Sequence, residues 1–278
     1  MQGLGAWKAA DLLTAVFLLG LMVLVLLCRD RLKDPAKLLI TYLVLLTLQA
    51  AISLGRARGV PPLLPAFFPA VPVLVIYATL GFIPELNPRE QDRVLSRLDR
   101  TLFRVDPSVW LERFARPWIT EVMQLAYLAY YVLPFVLLGI LYRRGEEPAF
   151  DRSILALLLS HYLAFIGYLA VPTLGPRFLL AGHYRTELPG LLIAEPIRAV
   201  LNALEGVKRD AFPSGHTSAI LITVVYAARF TPELVPWVAP LAGLMIVSTL
   251  YLRYHYAVDV LAGALLAAFC LLLAPRLP

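Results

Sequence analysis

The chain has 278 residues, of which 60% are hydrophobic and only 16% are charged, a balance that excludes a water-soluble globular protein of this length. Its net charge is +6, but the 25 lysines and arginines are spread over loops between apolar segments, which favours anionic lipid headgroups over nucleic acid as partners. Cys28 and Cys270 lie in or at the end of apolar segments, so we expect buried thiols and neither a disulfide framework nor a zinc site.

Apolar segments of about 20 residues, the length that crosses ~30 Å of hydrocarbon, recur along the chain. The first is expected to be retained as a span, because no small residue precedes Cys28 as a lipidated signal peptide would require. We expect an all-α, polytopic membrane helix bundle with two N-terminal spans in residues 1–60 and a six-span core in residues 61–278. The predicted spans, about eight in number, lie near residues 11–28, 38–55, 63–84, 118–142, 152–172, 213–230, 234–251 and 256–275.

Two long connections carry amphipathic patterns. Residues 85–117 contain seven arginines and six acidic residues among regularly spaced apolar side chains. This spacing predicts two short helices lying in the membrane interface and separated at Pro107; the alternative is a solvated loop. Residues 192–204 predict a further amphipathic helix within the connection 172–212. The apolar residues that define the first two helices are Leu95, Leu98, Leu102, Trp110, Leu111 and Phe114.

The segment Asp-Ala-Phe-Pro-Ser-Gly-His-Thr-Ser, residues 210–218, opens the sixth predicted span. Ser214 and Gly215 can present a hydroxyl and backbone N–H groups at a helix N-terminus, which favours an anion. His216 then lies in the first helical turn, where it can give a proton to a leaving group held on those amides. Lys208 and Arg209 come shortly before this segment and are candidates to meet a lipid headgroup, although a plain interfacial role is an equal alternative.

A second histidine, His255, precedes Asp259 by four residues in what the sequence predicts to be one helix. A carboxylate that accepts one imidazole N–H leaves the other ring nitrogen as a nucleophile, and His216 can then protonate the departing oxygen. A satisfied polar pair without catalytic function is the alternative. Arg177 and Arg253 are candidates for binding the phosphoryl oxygens, because the planar guanidinium can meet two oxygens at once.

Counting the spans in order brings the end of the fifth, the start of the sixth and the junction of the seventh and eighth to one membrane face. We therefore expect a single site at that face. His161 is expected at the far end of the fifth span, about 24 Å along the helix from Arg177, and is predicted to be structural. The residues brought together are Arg177, Ser214, His216, Arg253, His255 and Asp259.

The block Pro213-Ser214-Gly215-His216, followed about forty residues later by His255-x-x-x-Asp259, resembles the second and third signature motifs of the type 2 phosphatidic acid phosphatase superfamily. This superfamily also contains the vanadium haloperoxidases. The resemblance implies a six-helix phosphatase-type core in which His255 is the nucleophile, His216 the general acid and Asp259 the support of the nucleophile, with no metal and no cofactor. Halide oxidation is disfavoured because two cationic vanadate ligands are missing.

The missing cations mark the departures from the family pattern. Ala170 stands where the first motif has lysine, and Thr249 stands where the third motif has arginine, so Arg253 is a candidate replacement. The stretch Tyr-Leu-Arg-Tyr-His-Tyr-Ala-Val-Asp, residues 251–259, together with residues 172–177, is similar to the branch that contains inositol phosphorylceramide synthases.

The sequence thus predicts a membrane-embedded, metal-independent enzyme that transfers phosphoryl groups of lipid phosphates through a phosphohistidine. A lipid headgroup phosphotransferase that moves inositol phosphate or a similar group to a lipid alcohol is one alternative, and a non-catalytic lipid-phosphate binding or transport protein is another. The site face holds 17 of the 25 lysines and arginines, which by the positive-inside rule favours the cytoplasm. The resemblance favours the extracytoplasmic side of the plasma membrane, which we expect.

Overall fold

A computed structural model describes residues 7–204 and 209–277 of the chain. In these two ranges the regular structure is helical, apart from one isolated parallel bridge between Thr173 and Asp210. The predicted all-α fold is therefore confirmed. The helices are α1 (Ala9–Leu27), α2 (Pro35–Gly55), α3 (Leu63–Phe67), α4 (Ala70–Thr79), α5 (Ile83–Leu86), α6 (Asp92–Phe103), α7 (Pro107–Leu111), α8 (Pro117–Arg143), α9 (Glu147–Ala170), α10 (Pro176–Leu179), α11 (Ala194–Leu204), α12 (Gly215–Phe230), α13 (Val235–Tyr251) and α14 (Ala257–Leu273).

Six of these helices are long and apolar enough to cross a membrane, which confirms a multi-pass membrane protein. They are α1, α2, α8, α9, α13 and α14, some of them extended by a short 3₁₀ turn. The other two predicted spans, the third and the sixth, are shorter than the sequence suggested, and each has a local reason.

The third predicted span is divided near Pro69. Here α3 ends at Phe67 and α4 begins at Ala70, and a 3₁₀ turn then joins α4 to α5. Proline has no N–H to donate and its ring clashes with the preceding turn, so α3 and α4 do not form one continuous helix. The longest apolar helical stretch in this region is Ala70–Leu86.

The sixth predicted span, α12, has only 16 residues, about 24 Å at 1.5 Å per residue. It begins at Gly215, two residues later than predicted, because Ser214 caps it: the Ser214 hydroxyl oxygen accepts the backbone N–H of Thr217 at 3.2 Å. The helix packs against α8, α9, α13 and α14, so neighbouring helices rather than lipid surround much of it.

The N-terminal pair, α1 and α2, docks on the remaining bundle through α9. Phe17 of α1 stacks on Tyr162 of α9 with ring centroids 4.4 Å apart, and the Tyr162 hydroxyl donates to Thr14 Oγ1 at 3.0 Å. These contacts bury the Tyr162 ring and also give its hydroxyl a hydrogen-bond partner. They fix α1 against the helix that also carries part of the candidate site.

The two short helices predicted for residues 85–117 are present as α6 and α7, separated at residues 104–106 rather than at Pro107, which starts α7. The acidic face of α6 points into the protein, where Asp92 and Asp99 are buried, whereas Leu98 and Leu102 are exposed. A helix lying in the interface presents such an apolar face to lipid. The third predicted amphipathic helix is also present, as α11.

Candidate active site

The N-terminus of α12 forms the floor of the site. Ser214 is buried, and its backbone N–H donates to the carbonyl oxygen of Asp259 at 3.0 Å, which ties the start of α12 to the start of α14. A Cβ on Gly215 would lie 2.7 Å from the hydroxyl oxygen of Tyr168, so the close approach of α9 requires glycine at this position. The first-turn N–H groups of α12 lie at the positive end of the helix dipole, where the sequence predicts an anion.

His255 lies in the turn between α13 and α14, because α14 begins at Ala257. The prediction that His255 and Asp259 share a helix is therefore wrong, although the two side chains do meet. His255 Nδ1 is 2.8 Å from the carbonyl oxygen of Ala211 and 3.4 Å from Asp259 Oδ2. A carbonyl oxygen only accepts hydrogen bonds, so Nδ1 carries the proton and Nε2 of the neutral ring carries the lone pair.

Asp259 has a second function that the sequence did not reveal. Its Oδ2 atom accepts the backbone N–H of Tyr256 at 2.8 Å, which caps the first turn of α14. The carboxylate therefore supports the His255 ring from 3.4 Å while it holds the turn that carries the ring. The closer acceptor of the imidazole N–H is the Ala211 carbonyl, which the sequence could not show.

The two histidines are in direct contact. His216 Nδ1 lies 3.2 Å from His255 Nε2, and His216 Nε2 lies 2.7 Å from the Tyr127 hydroxyl. Since Nε2 of neutral His255 can only accept, His216 Nδ1 donates to it, and the Tyr127 hydroxyl then donates to His216 Nε2. One consistent assignment of protons thus runs from Tyr127 through both rings to the Ala211 carbonyl.

Arg177 lies beside the turn that carries His255. Its backbone N–H donates to the Arg253 carbonyl oxygen at 3.0 Å, and its guanidinium lies 4.8 Å from the ring centroid of Tyr254. Gly175 makes this approach possible, because it has φ +95° and a Cβ there would lie 2.5 Å from the Tyr254 carbonyl oxygen. Arg177 Nη1 also lies 3.2 Å from Asn202 Oδ1 of α11.

The guanidinium of Arg253 is bound in the loop before α11. Its Nη2 atom donates to the Thr186 carbonyl oxygen at 2.6 Å and lies 3.4 Å from Glu112 Oε1, and the group covers the Tyr184 ring at 3.7 Å. Burial lowers the pKa of Arg253, and the charges of Tyr184 and Glu112 raise it again. These contacts give the guanidinium a structural function in ordering the loop.

Of the two basic residues before α12, Arg209 is described and pairs with an acidic residue. Arg209 Nη2 pairs with Glu90 Oε1 at 2.5 Å, which joins the segment before α12 to the segment before α6. Lys208 lies outside the described residues. Among the described residues there is also no cluster of three or more His, Cys, Asp or Glu side chains arranged to hold a metal ion.

Two buried carboxylates of α6 hold the loops of the site, and sequence reasoning missed both. Asp92 accepts the backbone N–H groups of Leu174 and Gly175 at 2.9 and 2.8 Å and the Tyr256 hydroxyl at 3.0 Å. It thus connects the loop of Arg177 to the turn of His255. The seven-residue spacing of Asp92 and Asp99, two turns apart on one helix face, was the available signal.

Asp99 acts in the same way on α14. Its two carboxylate oxygens accept the backbone N–H groups of Ala257 and Val258, each at 2.9 Å. These are N–H groups of the first helical turn, which have no acceptor within the helix. A carboxylate from another element therefore caps the helix whose preceding turn carries His255.

His161 is close to the site, and the prediction that it lies at the far end of the fifth span is wrong. It is nine residues before the end of α9 at Ala170, and its Nε2 atom lies 3.0 Å from the Tyr130 hydroxyl. The Tyr130 ring in turn lies 4.3 Å from the His216 ring. Since α9 begins at Glu147, His161 lies 14 residues from the start of the helix and therefore in the half that leads to the site.

Residues 93–273 match the PAP2 superfamily. They extend from the second residue of α6 to the last residue of α14. The chain belongs to the PAP2 superfamily. The suspected family is thereby confirmed, and its members are phosphatases and phosphotransferases. The match includes both histidines and all the loops that hold them, whereas α1 to α5 precede it.

Two curated relatives are similar to this PAP2 chain. One is a PA-phosphatase related-family protein of Dictyostelium discoideum, 29% identical over 175 residues, which are 55% of this chain and 31% of that protein. The other is an inositol phosphorylceramide synthase of Candida albicans, 26% identical over 219 residues, which are 72% of this chain and 46% of that protein. The chain thus spans less than half of the length of either relative. No solved structure is significantly similar to it.

Proposed function

We propose that this PAP2 protein is a membrane-embedded enzyme that transfers the phosphoryl group of a lipid phosphate through a phosphohistidine on His255. The observation that carries the proposal is the contact between buried His255 and half-buried His216, whose Nε2 and Nδ1 atoms are 3.2 Å apart. The Ala211 carbonyl leaves Nε2 of His255 with its lone pair. The nucleophilic Nε2 of His255 and the proton-donating Nδ1 of His216 are thus adjacent.

The first half-reaction forms a bond between His255 Nε2 and phosphorus and breaks the bond from phosphorus to the leaving oxygen. In this step His216 is the imidazolium: it gives its Nδ1 proton to that oxygen and becomes neutral, while its Nε2–H donates to the Tyr127 oxygen, 2.7 Å away. The phosphorylated His255 ring is cationic, so the Ala211 carbonyl and the Asp259 carboxylate, 2.8 and 3.4 Å from Nδ1, stabilise it. Substrate must replace the hydrogen bond between the two histidines to place phosphorus there.

The second half-reaction uses the same groups in reverse. An acceptor hydroxyl gives its proton to His216 as its oxygen attacks phosphorus, and the bond to His255 Nε2 breaks. Water as the acceptor makes the enzyme a phosphatase, and a lipid alcohol makes it a headgroup phosphotransferase. The similarity to the inositol phosphorylceramide synthase extends over 72% of the chain and supports the headgroup phosphotransferase as the alternative.

The phosphate oxygens are proposed to lie on the first turn of α12 and on Arg177. The Gly215 N–H and the Ser214 hydroxyl are part of this turn, and Arg177 is the cation that the loop places beside the His255 turn. Arg253 and Arg209, which already have acidic partners, are assigned to holding the loops. The site is proposed to lie at the extracytoplasmic face of the plasma membrane.

The test is turnover by purified protein in detergent with phosphatidic acid, undecaprenyl pyrophosphate and phosphatidylinositol, each with chelator present. Both free phosphate and new phospholipid are measured. We expect His255→Ala to abolish both products, and His183→Ala, at an exposed histidine of the loop after α10, to keep them. Turnover retained by His255→Ala in folded protein contradicts the mechanism. Lipid binding without any product supports a non-catalytic binding protein instead.

A further inference from the structure

A cavity of about 150 Å³ lies between α4, α8 and α9 and ends at His216. Its walls are apolar for most of their length and include Val73, Leu138 and Leu158. Its inner end is polar, because the side chains of His216 and Asp210 line it there. An apolar cavity with a few polar groups at one end is typical of a site for an amphipathic small molecule.

The outer end of the cavity is at the surface of the bundle. The lining residues Leu74 of α4 and Phe135 of α8 are 64% and 49% exposed. Both belong to apolar helical segments, so in a bilayer they face hydrocarbon. The cavity therefore connects His216 with the surface that contacts lipid chains.

The polar end is built in part by a helix outside the region that matches the PAP2 superfamily. Tyr77 of α4 donates its hydroxyl to Asp210 Oδ2 at 2.5 Å, and Asp210 immediately precedes Ala211, the acceptor of the His255 N–H. Burial raises the pKa of Asp210, while the Tyr77 hydrogen bond and the charge of Arg177 lower it. This helix thus closes the cavity beside the reacting groups.

The position of His216 determines which part of a substrate can occupy the cavity. In an in-line transfer the leaving oxygen lies opposite the attacking His255 Nε2, and the group that protonates it must be within hydrogen-bond reach. His216 both contacts His255 and lines the cavity. The moiety attached to the leaving oxygen, or to the accepting hydroxyl in the reverse step, therefore extends into the cavity.

We propose that the cavity between α4, α8 and α9 binds the hydrocarbon chain of the lipid alcohol that releases or accepts the phosphoryl group. The alcohol oxygen lies at His216 and the chain extends past Leu158 to the opening between Leu74 and Phe135. On release the bond from phosphorus to this oxygen breaks and the oxygen takes the His216 proton; on transfer the same proton returns and the bond forms. The inference rests on the proposed function, and it names the class of the second substrate.

The binding test is photo-crosslinking of the protein in phosphatidylcholine vesicles with hexadecanol that carries a diazirine at the middle of its chain. We expect adducts on the cavity walls in α4, α8 and α9. Leu74→Trp narrows the opening and should lower these adducts about tenfold. The matched control is Val71→Trp, also exposed and on α4 but not in the lining, which should change them by less than about twofold.

The same labelling in His255→Ala separates this proposal from the proposed function, because chain binding does not require the nucleophile. Labelling retained in His255→Ala together with the loss in Leu74→Trp supports the cavity even if no turnover is found. Labelling that is equal in Leu74→Trp and Val71→Trp, or that is spread evenly over outward positions such as Val247 of α13, overturns it.

A turnover test adds an independent check. Phosphatidic acid with two C4 chains puts little hydrocarbon into the cavity, whereas a C16 chain is long enough to extend from His216 toward the opening. We expect Leu74→Trp to raise the KM for the long-chain form about tenfold and to change the KM for the short-chain form by less than about twofold. An equal effect on both forms contradicts a chain-binding function of the cavity.

Discussion

The two membrane faces of the bundle use buried carboxylates differently. At the face that holds the histidines, Asp92 and Asp99 accept backbone N–H groups of distant loops and helix ends. At the opposite face, Asp11 of α1 is fully buried and pairs with Arg56, which follows α2; it also accepts the Gln49 amide at 2.8 Å and the backbone N–H of Lys8 at 2.9 Å. The distant partners of Asp92 and Asp99 are thus mostly backbone N–H groups, whereas the distant partners of Asp11 are side chains.

This difference reflects what each face must hold. A carboxylate that accepts two adjacent N–H groups fixes the position and direction of the peptide units, which suits loops that carry a reacting group. An ion pair between two helices fixes their docking but leaves the backbone of each helix to its own hydrogen bonds. We therefore expect substitutions at the site face to affect turnover and substitutions at the opposite face to affect stability.

The largest expected effect is that of Asp11→Ala. Its carboxylate is fully buried, and removal leaves Arg56, whose side chain is 19% exposed, without this partner. Loss of one member of a buried pair lowers the free energy of unfolding by about 3–5 kcal/mol. Thermal unfolding in detergent measures the change, and turnover per folded molecule should stay unchanged. The double variant Asp11→Ala/Arg56→Met should recover stability; a double variant as unstable as the single one contradicts the ion-pair explanation.

Asp99→Asn should mainly lower turnover. Asparagine has one acceptor oxygen where the carboxylate has two, so one of the N–H groups of Ala257 and Val258 loses its partner. A small displacement of the His255 turn lowers kcat by about 100-fold, with a much smaller change in KM. Arg97→Gln, an exposed position on the same helix, is the control. A lowered melting temperature with unchanged kcat would show that Asp99 is purely structural.

The dependence of kcat on pH tests whether the charge of the Asp99 carboxylate matters in addition to the shape of its side chain. Burial raises the pKa of the Asp99 carboxyl, the two N–H groups lower it, and the charge of Asp106 raises it. With a raised pKa, the contribution of this group to stability is present at acid pH and is lost as the pH rises through the folded pKa. Turnover should rise with pH over the same range, because only the ionised carboxylate accepts both N–H groups.

Asp106→Asn removes one cause of the raised pKa, so the acid limb of the kcat profile should move to lower pH. The measurement is kcat against pH for wild type, Asp106→Asn and Asp99→Asn. An acid limb at the same position in all three proteins would assign it to another group, and the proposed link between Asp99 and the His255 turn would then lose this support.

The smallest effect is expected for the outer ion pair of the opposite face. Lys8 and Asp151 join α9 to the residue before α1 with side chains 39% and 38% exposed, so water screens the pair. Asp151→Ala should lower the free energy of unfolding by less than about 1 kcal/mol and leave turnover unchanged. A loss as large as that of Asp11→Ala would show that the exposure of the side chains does not determine how much each ion pair contributes to the free energy of unfolding.

Local patterns in the sequence determined the membrane architecture and the reacting groups. Apolar segments of sufficient length predicted the spans, with the error at Pro69 arising where prolines interrupt the pattern. The amphipathic spacing located α6, α7 and α11 within a few residues. The motif around His216 and the pair His255 and Asp259 pointed to the superfamily that residues 93–273 then confirmed. Each of these signals is contained in a short stretch of chain, so it can be read without the fold.

The tertiary structure alone decided which partners these groups have. The acceptor for the His255 N–H is a backbone carbonyl 44 residues away, and Asp99 caps a helix that begins 158 residues later. The guanidinium of Arg253, predicted to bind phosphate, contacts Glu112 and the Thr186 carbonyl, which the sequence did not indicate. A backbone carbonyl is present at every position and leaves no mark in the sequence, and a charged side chain selects its partner only after distant helices pack.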